Sequence, residues 1–202
     1  YNLLETRLNR DNFPKRKYFA FADTIATINY DKSIKGHGWI GVRFQHNENE
    51  KPNDIIVHVN LHDQDAPLQQ RTVGILGTNL LHACFNIKKP KEIIKKLYDN
   101  LSRDNLDIDM VKFTGPNFNK VDNRLLSLTL VKENMTDSVL FTPDGVSHQV
   151  SDIVHKKNIL VLRGSFRPVT KVNIDMLENG LEKFSSDKKV KKEDVQVLFE
   201  IT

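Results

Sequence analysis

The stretch LRGSFRPVTKVN, residues 162–173, gathers residue types that hold anions. An apolar run, NILVL, leads into Gly164, Ser165 and Phe166, and a helical pattern follows Pro168. A glycine lets a ligand or another backbone approach closely. Pro168 fixes its own φ and keeps Arg167 extended. Thr170 or Asn173 is placed to cap the next helix, whose free N–H groups and positive dipole end suit a phosphate. Arg163, Arg167 and Lys171 add positive charge. The competing reading is a solvated corner that only ends a strand and starts a helix. Spacing alone favours that corner, because short glycine turns recur by chance.

The run GSFRPVTKVNIDMLE resembles the first strand-turn-helix of the nicotinamide and nicotinate mononucleotide adenylyltransferases. That family's pattern is Gly-Ser/Thr-Phe-Asn/Asp-Pro, an apolar residue, His or Thr, and a further His three residues on. Gly164, Ser165, Phe166, Pro168, Val169 and Thr170 match it. The resemblance implies a turn and helix end that bind ATP phosphates in a nucleotidyltransferase acting on a pyridine mononucleotide. It also implies Mg²⁺ as a helper that neutralises developing charge. Asn173 stands where the family has its second His, and Arg167 replaces its Asn or Asp. Two strand-like segments precede the turn, and no later arginine motif follows before Thr202. The whole chain also resembles bacterial proteins of unassigned role that often carry the adenylyltransferase label, in which this stretch is part of a longer chain. The expectation is therefore a nucleotide- or phosphate-binding protein, with no catalytic residue assigned. A non-catalytic sensor or interaction module for a phosphorylated metabolite is the alternative.

Other residues invite chemistry less strongly. His58 and His62 would share a strand face about 13 Å apart, too far to ligate one ion, and Asp63 and Asp65 read as the turn that follows. His82 and Cys84 point in different directions on a helix, so Cys84 reads as a small core residue. In GHGWIGVRFQ, Ile40, Val42 and Phe44 would face a core, with Trp39, Arg43 and Gln45 facing away beside His58, Asn60 and His62. Trp39 and Arg43 could clamp a planar or anionic ligand; a merely wet outer face is the favoured reading. The run KKVKK, residues 188–192, has no interleaved aromatics, and nucleic acid is not an expected partner.

The elements that position these residues fall into two styles. KYFAFADTIATINY, HGWIGVRFQH and DIIVHVNLHD read as strands joined by turn-rich loops, and two helical patterns follow. The clearer is PKEIIKKLYDNLS, with Pro90 in the first turn and Ile93, Ile94, Leu97, Tyr98 and Leu101 in one stripe. From about Leu106 strand and helix patterns alternate, which implies parallel strands with right-handed crossovers. The predicted fold is α/β: an N-terminal antiparallel α+β lobe over residues 1–105, then a partial, Rossmann-like parallel sheet over 106–202, cut off at its C-terminus. Strands around Met110, Leu140, Val161 and Leu198 would be parallel neighbours. Ligands sit beyond the carboxyl ends of such strands, so Asp122 and Arg124 should share a rim with Arg163, Gly164, Ser165, Arg167, Thr170 and Asn173.

Composition sets outer bounds. The chain has 202 residues, 39% hydrophobic and 28% charged, with a net charge of +4. That is ordinary for a globular protein and permits an anionic partner without requiring one. Apolar runs are strand-sized, short of the ~20 residues of a membrane span. A lone cysteine excludes an internal disulfide and fits a reducing compartment, so the cytoplasm is expected. No secretory signal is visible, and a start at Tyr1 reads as a trimmed chain or one whose true start is missing.

Overall fold

The computed structural model describes residues 17–201 together with Thr6, Arg7, Asp11, Asn12 and Lys15; Thr202, the end of the expected second lobe, lies outside them. Two compact units divide after Gln149. In the first, β1 (Phe19–Ala26), β2 (Gly36–Phe44), β3 (Asn53–Leu61) and β4 (Leu106–Thr114) form one sheet in that order. Every neighbouring pair is antiparallel, as expected for the first three strands. Helices α1 (Ala66–Asn86), α2 (Pro90–Lys96) and α3 (Asn123–Lys132) belong to this unit.

Period-two burial selects the inner face. Ile40, Val42 and Phe44 of β2 and Ile55, Val57, Val59 and Leu61 of β3 are buried, with Val73, Leu76, Leu80 and Ala83 of α1. Ile93 and Ile94 of α2, with Leu97 just beyond it, complete the stripe that Pro90 opens. Asp65 caps α1 by accepting from the Leu68 N–H at 2.8 Å, and the Asp63 side chain accepts from Thr72 and Asn105. The turn role read for both aspartates is the one they perform.

Cys84 is fully buried and His82 exposed, so this pair makes no nucleophile and base. Burial pushes the Cys84 thiol up to about 12, which leaves almost no thiolate at mildly alkaline pH. An aromatic disulfide reagent should therefore leave the folded chain unmodified and titrate one thiol once denaturant is added. Rapid labelling without denaturant would contradict this placement.

The four-strand parallel sheet expected from Met110 to Leu198 does not form. β4 lies antiparallel to β3, with Leu61 paired to Leu106. One helix between two strands carries the chain back to its starting end and yields parallel neighbours. Here two helices intervene: α1 crosses the sheet, and α2 with the following turns returns the chain to the end where β3 finished. The strand assigned to the second lobe is thus the fourth strand of the first unit. β5 (Leu140–Phe141) is likewise no parallel strand but half of a short hairpin with β6 (Ser147–His148). Gly145, at φ +79°, closes the turn between them.

Parallel pairing survives in the second unit. After α4 (Val150–Val154), β7 (Asn158–Gly164) runs parallel to β8 (Val195–Ile201), with α5 (Lys171–Ser186) as the crossover. Leu177, Leu181 and Phe184 line the half-buried side of α5, while Ile174 stays 49% exposed. The parallel register puts the lysine run before β8 at the opposite strand end from Gly164. The molecule is therefore mixed α/β, an antiparallel sheet with helices plus a small parallel pair. Among the described residues no helix is long and apolar enough to cross a membrane.

Candidate functional site

Six of the eight expected site residues share one corner, at the end of β7 and the start of α5. Gly164 ends the strand, and a Cβ there would lie 3.3 Å from the Phe166 ring. That ring packs edge-on against Phe199 of β8 at 5.2 Å, and Phe166 turns the chain at φ 48°. Thr170 then caps α5. Its hydroxyl accepts the Asn173 N–H at 3.4 Å, while Asn173 Oδ1 accepts from the Thr170 N–H at 2.9 Å and from its hydroxyl at 2.8 Å. This reciprocal cap satisfies N–H groups that a helix start otherwise leaves open.

The cations at this corner divide into two kinds. Arg163 pairs with Glu200, its register partner on β8, at 2.8 Å. Arg167 and Lys171 form no ion pair among the described residues, and Ser165 and Arg167 are exposed. What the corner offers an anion is Arg167, Lys171, the Ser165 hydroxyl and those N–H groups of the first turn of α5 that the cap does not engage.

Asp122 and Arg124 are placed differently. Asp122 caps α3 by accepting the Arg124 N–H at 2.9 Å, and its carboxylate meets the Arg124 guanidinium at 2.8 Å. Hydrogen bonds from Arg124 hold that carboxyl at about 2. The strand before them belongs to the antiparallel sheet, so the strand order that would align them with Gly164 is absent. Asp122 instead borders an open cleft of about 370 Å³ with Pro90, Val121 and Leu125.

The outer face of the four-stranded sheet holds a second group of polar residues. Arg43 is bidentate to Asp54, at 2.6 and 2.8 Å, so its guanidinium is engaged rather than open as half of a clamp. His62 meets Asp107 at 3.2 Å. His58 is fully buried, and its Nδ1 lies 2.6 Å from Oδ1 of Asp109. Asn60 donates to the other Asp109 oxygen at 3.0 Å. The two histidines thus serve separate carboxylates, and no group of three metal-ligating side chains occurs among the described residues.

Asp109 escaped the sequence reading, although LDIDMVKF carried the signal. Leu106 and Ile108 alternate inward, but the next inward residues are Val111 and Phe113. The missed step is a β-bulge: Val59 pairs with Ile108 while His58 pairs with Met110. The extra residue is Asp109, turned to the outer face beside His58, and a bulge re-aims side chains in this way. Comparison with family models, with curated proteins and with solved structures finds no match to the chain.

Proposed function

We propose that the chain binds a phosphorylated small molecule, with nucleotides the leading class, at the corner between β7 and α5. The observation that carries this is the β7-α5-β8 unit. Two parallel strands joined by a helix put the Gly164–Thr170 turn at a strand's carboxyl end, where such units receive phosphate. A Rossmann-like reading of this unit rests on the same crossover. Arg167 and Lys171 supply cations that no carboxylate occupies among the described residues.

Binding without adenylyl transfer is the form the side chains favour. Asn173, at the position of the family's second His, spends its oxygen on the helix cap. Arg163 is held by Glu200. A nucleotidyltransferase needs further groups to stabilise charge on the phosphates during transfer, with Mg²⁺ the usual helper, whereas a sensor or interaction module needs only the anion site.

Calorimetry of the whole chain with ATP, a pyridine mononucleotide, a dinucleotide and pyrophosphate tests this. Binding should weaken with added salt, since exposed cation contacts are screened. Arg167→Ala should cost more than ~1 kcal/mol of affinity, the scale of a charge-assisted hydrogen bond, with an unchanged thermal midpoint because the side chain is exposed. Absence of heat with all four compounds would leave the turn as a corner only.

A further inference from the structure

The imidazole of His58 has a capacity that the phosphate corner does not use. An ionised carboxylate only accepts, so the 2.6 Å contact with Asp109 makes Nδ1 the donor, and the neutral form of the imidazole then carries its lone pair on Nε2. Asn60 holds the far oxygen of the same carboxylate and fixes its plane. Nε2 is buried and has no hydrogen-bond partner among the described residues. A carboxylate-oriented imidazole with a vacant nitrogen is the arrangement of a proton acceptor. An unsatisfied buried nitrogen lowers stability, and the bulge that creates this pair spends an irregular residue on doing so.

The surroundings suit a flat partner. Trp39 stands opposite His58 in the β2–β3 register, ring centroids 4.7 Å apart and tilted by 57°. The His37 ring is 5.8 Å from the same imidazole. Two residues along β2, a Cβ on Gly41 would find only the carbonyl oxygens of Ala22 and Ile55 within 4 Å among the described residues. Ala22 and Ile56, its cross-strand neighbours, are exposed. Trp39 therefore borders a low strip floored by Ala22, Gly41 and Ile56.

We propose that His58 is the proton acceptor of a second site, on this outer sheet face, for a flat aromatic ring bearing a hydroxyl. The ring lies over Ala22, Gly41 and Ile56, and Trp39 turns aside so that the hydroxyl reaches Nε2. The ligand's O–H bond breaks, its proton forms an Nε2–H bond, and Asp109 balances the imidazolium. The oxyanion keeps the hydrogen bond from Nε2, and no co-reactant is consumed. Trp39 supplies the aromatic contact that such a ring prefers.

Trp39 is the sole tryptophan of the sequence, so all tryptophan fluorescence originates beside His58. The full chain would be titrated with 4-nitrophenol and with 4-nitroanisole, which keeps the ring but lacks the proton. Saturable quenching should appear with 4-nitrophenol at a half-saturation at least tenfold lower than with 4-nitroanisole, accompanied by a rise in phenolate absorbance. His58→Gln should erase both the tenfold preference and the absorbance rise. Asp109→Asn should reduce the preference and change the His58 tautomer seen by nitrogen NMR, which a purely structural role would not do. In the unsubstituted chain, the Nε2 resonance should move to its protonated position as 4-nitrophenol saturates, a readout independent of whether any variant folds. Equal affinity for the two compounds, no saturable quenching, or an unmoved Nε2 resonance at saturation would each overturn the proposal.

Discussion

Phe44→Ala is expected to destabilise the first unit by about 3–5 kcal/mol, the range for emptying a packed aromatic site. Phe44 is fully buried at the end of β2. Its ring lies 5.9 Å from Phe85 of α1 and 6.4 Å from Phe118, just after β4. Removing it opens a hole lined by a strand, a helix and a turn, each anchored elsewhere, so little collapse can refill it. Dispersion contacts are lost together with the burial of the ring. Phe44→Leu, which keeps most of the apolar volume, should cost less than half as much. Urea unfolding followed by Trp39 fluorescence measures this in the right unit, because Trp39 lies on the same strand. A loss for Phe44→Ala below about 1 kcal/mol would mean that the ring is not in a packed core.

Burial on β2 and β3 was legible because one face of an antiparallel sheet is dry and the other is not. Ile40, Val42 and Phe44 announced that face by alternation alone, and Pro90 with its stripe announced α2. Pairing direction was less legible. Alternating strand and helix patterns after Leu106 suggested parallel neighbours, but direction depends on how often the chain crosses the layer, and α1 plus α2 cross it twice. Where a single helix intervenes, between β7 and β8, the expected parallel pair is present. At the corner, Gly164, Thr170 and Asn173 were recognisable as turn and cap chemistry. The engagement of Arg163 by Glu200 was not, since it needs the register of a strand that comes over thirty residues later. Asp109 was hidden for a different reason: a bulge breaks the alternation by which a strand's outer residues are counted.

Asp109→Ala is expected to cost about 2–4 kcal/mol, the loss of a buried hydrogen bond to a charged acceptor together with a stranded donor. The alanine itself fits, because the bulge asks for an extra residue and not for a large one. The cost comes from the partners left behind. His58, fully buried, would keep an Nδ1–H without its acceptor beside an Nε2 that has no partner among the described residues. Asn60 would lose the carboxylate oxygen to which it now donates. Removing one member of a buried polar pair is worse than removing both, so the double variant Asp109→Ala with His58→Leu should recover at least ~1 kcal/mol relative to Asp109→Ala alone. Measuring His58→Leu alone closes the cycle, and the double-variant cost minus the sum of the two single-variant costs is the coupling energy of the pair. Far-UV circular dichroism should follow the unfolding here, because changing His58 alters the fluorescence of the neighbouring Trp39. If Asp109→Ala costs less than ~0.5 kcal/mol, the level of an ordinary surface change, Nδ1 is satisfied by something other than Asp109. The fixed tautomer, and with it the lone pair on Nε2, would then lose its support.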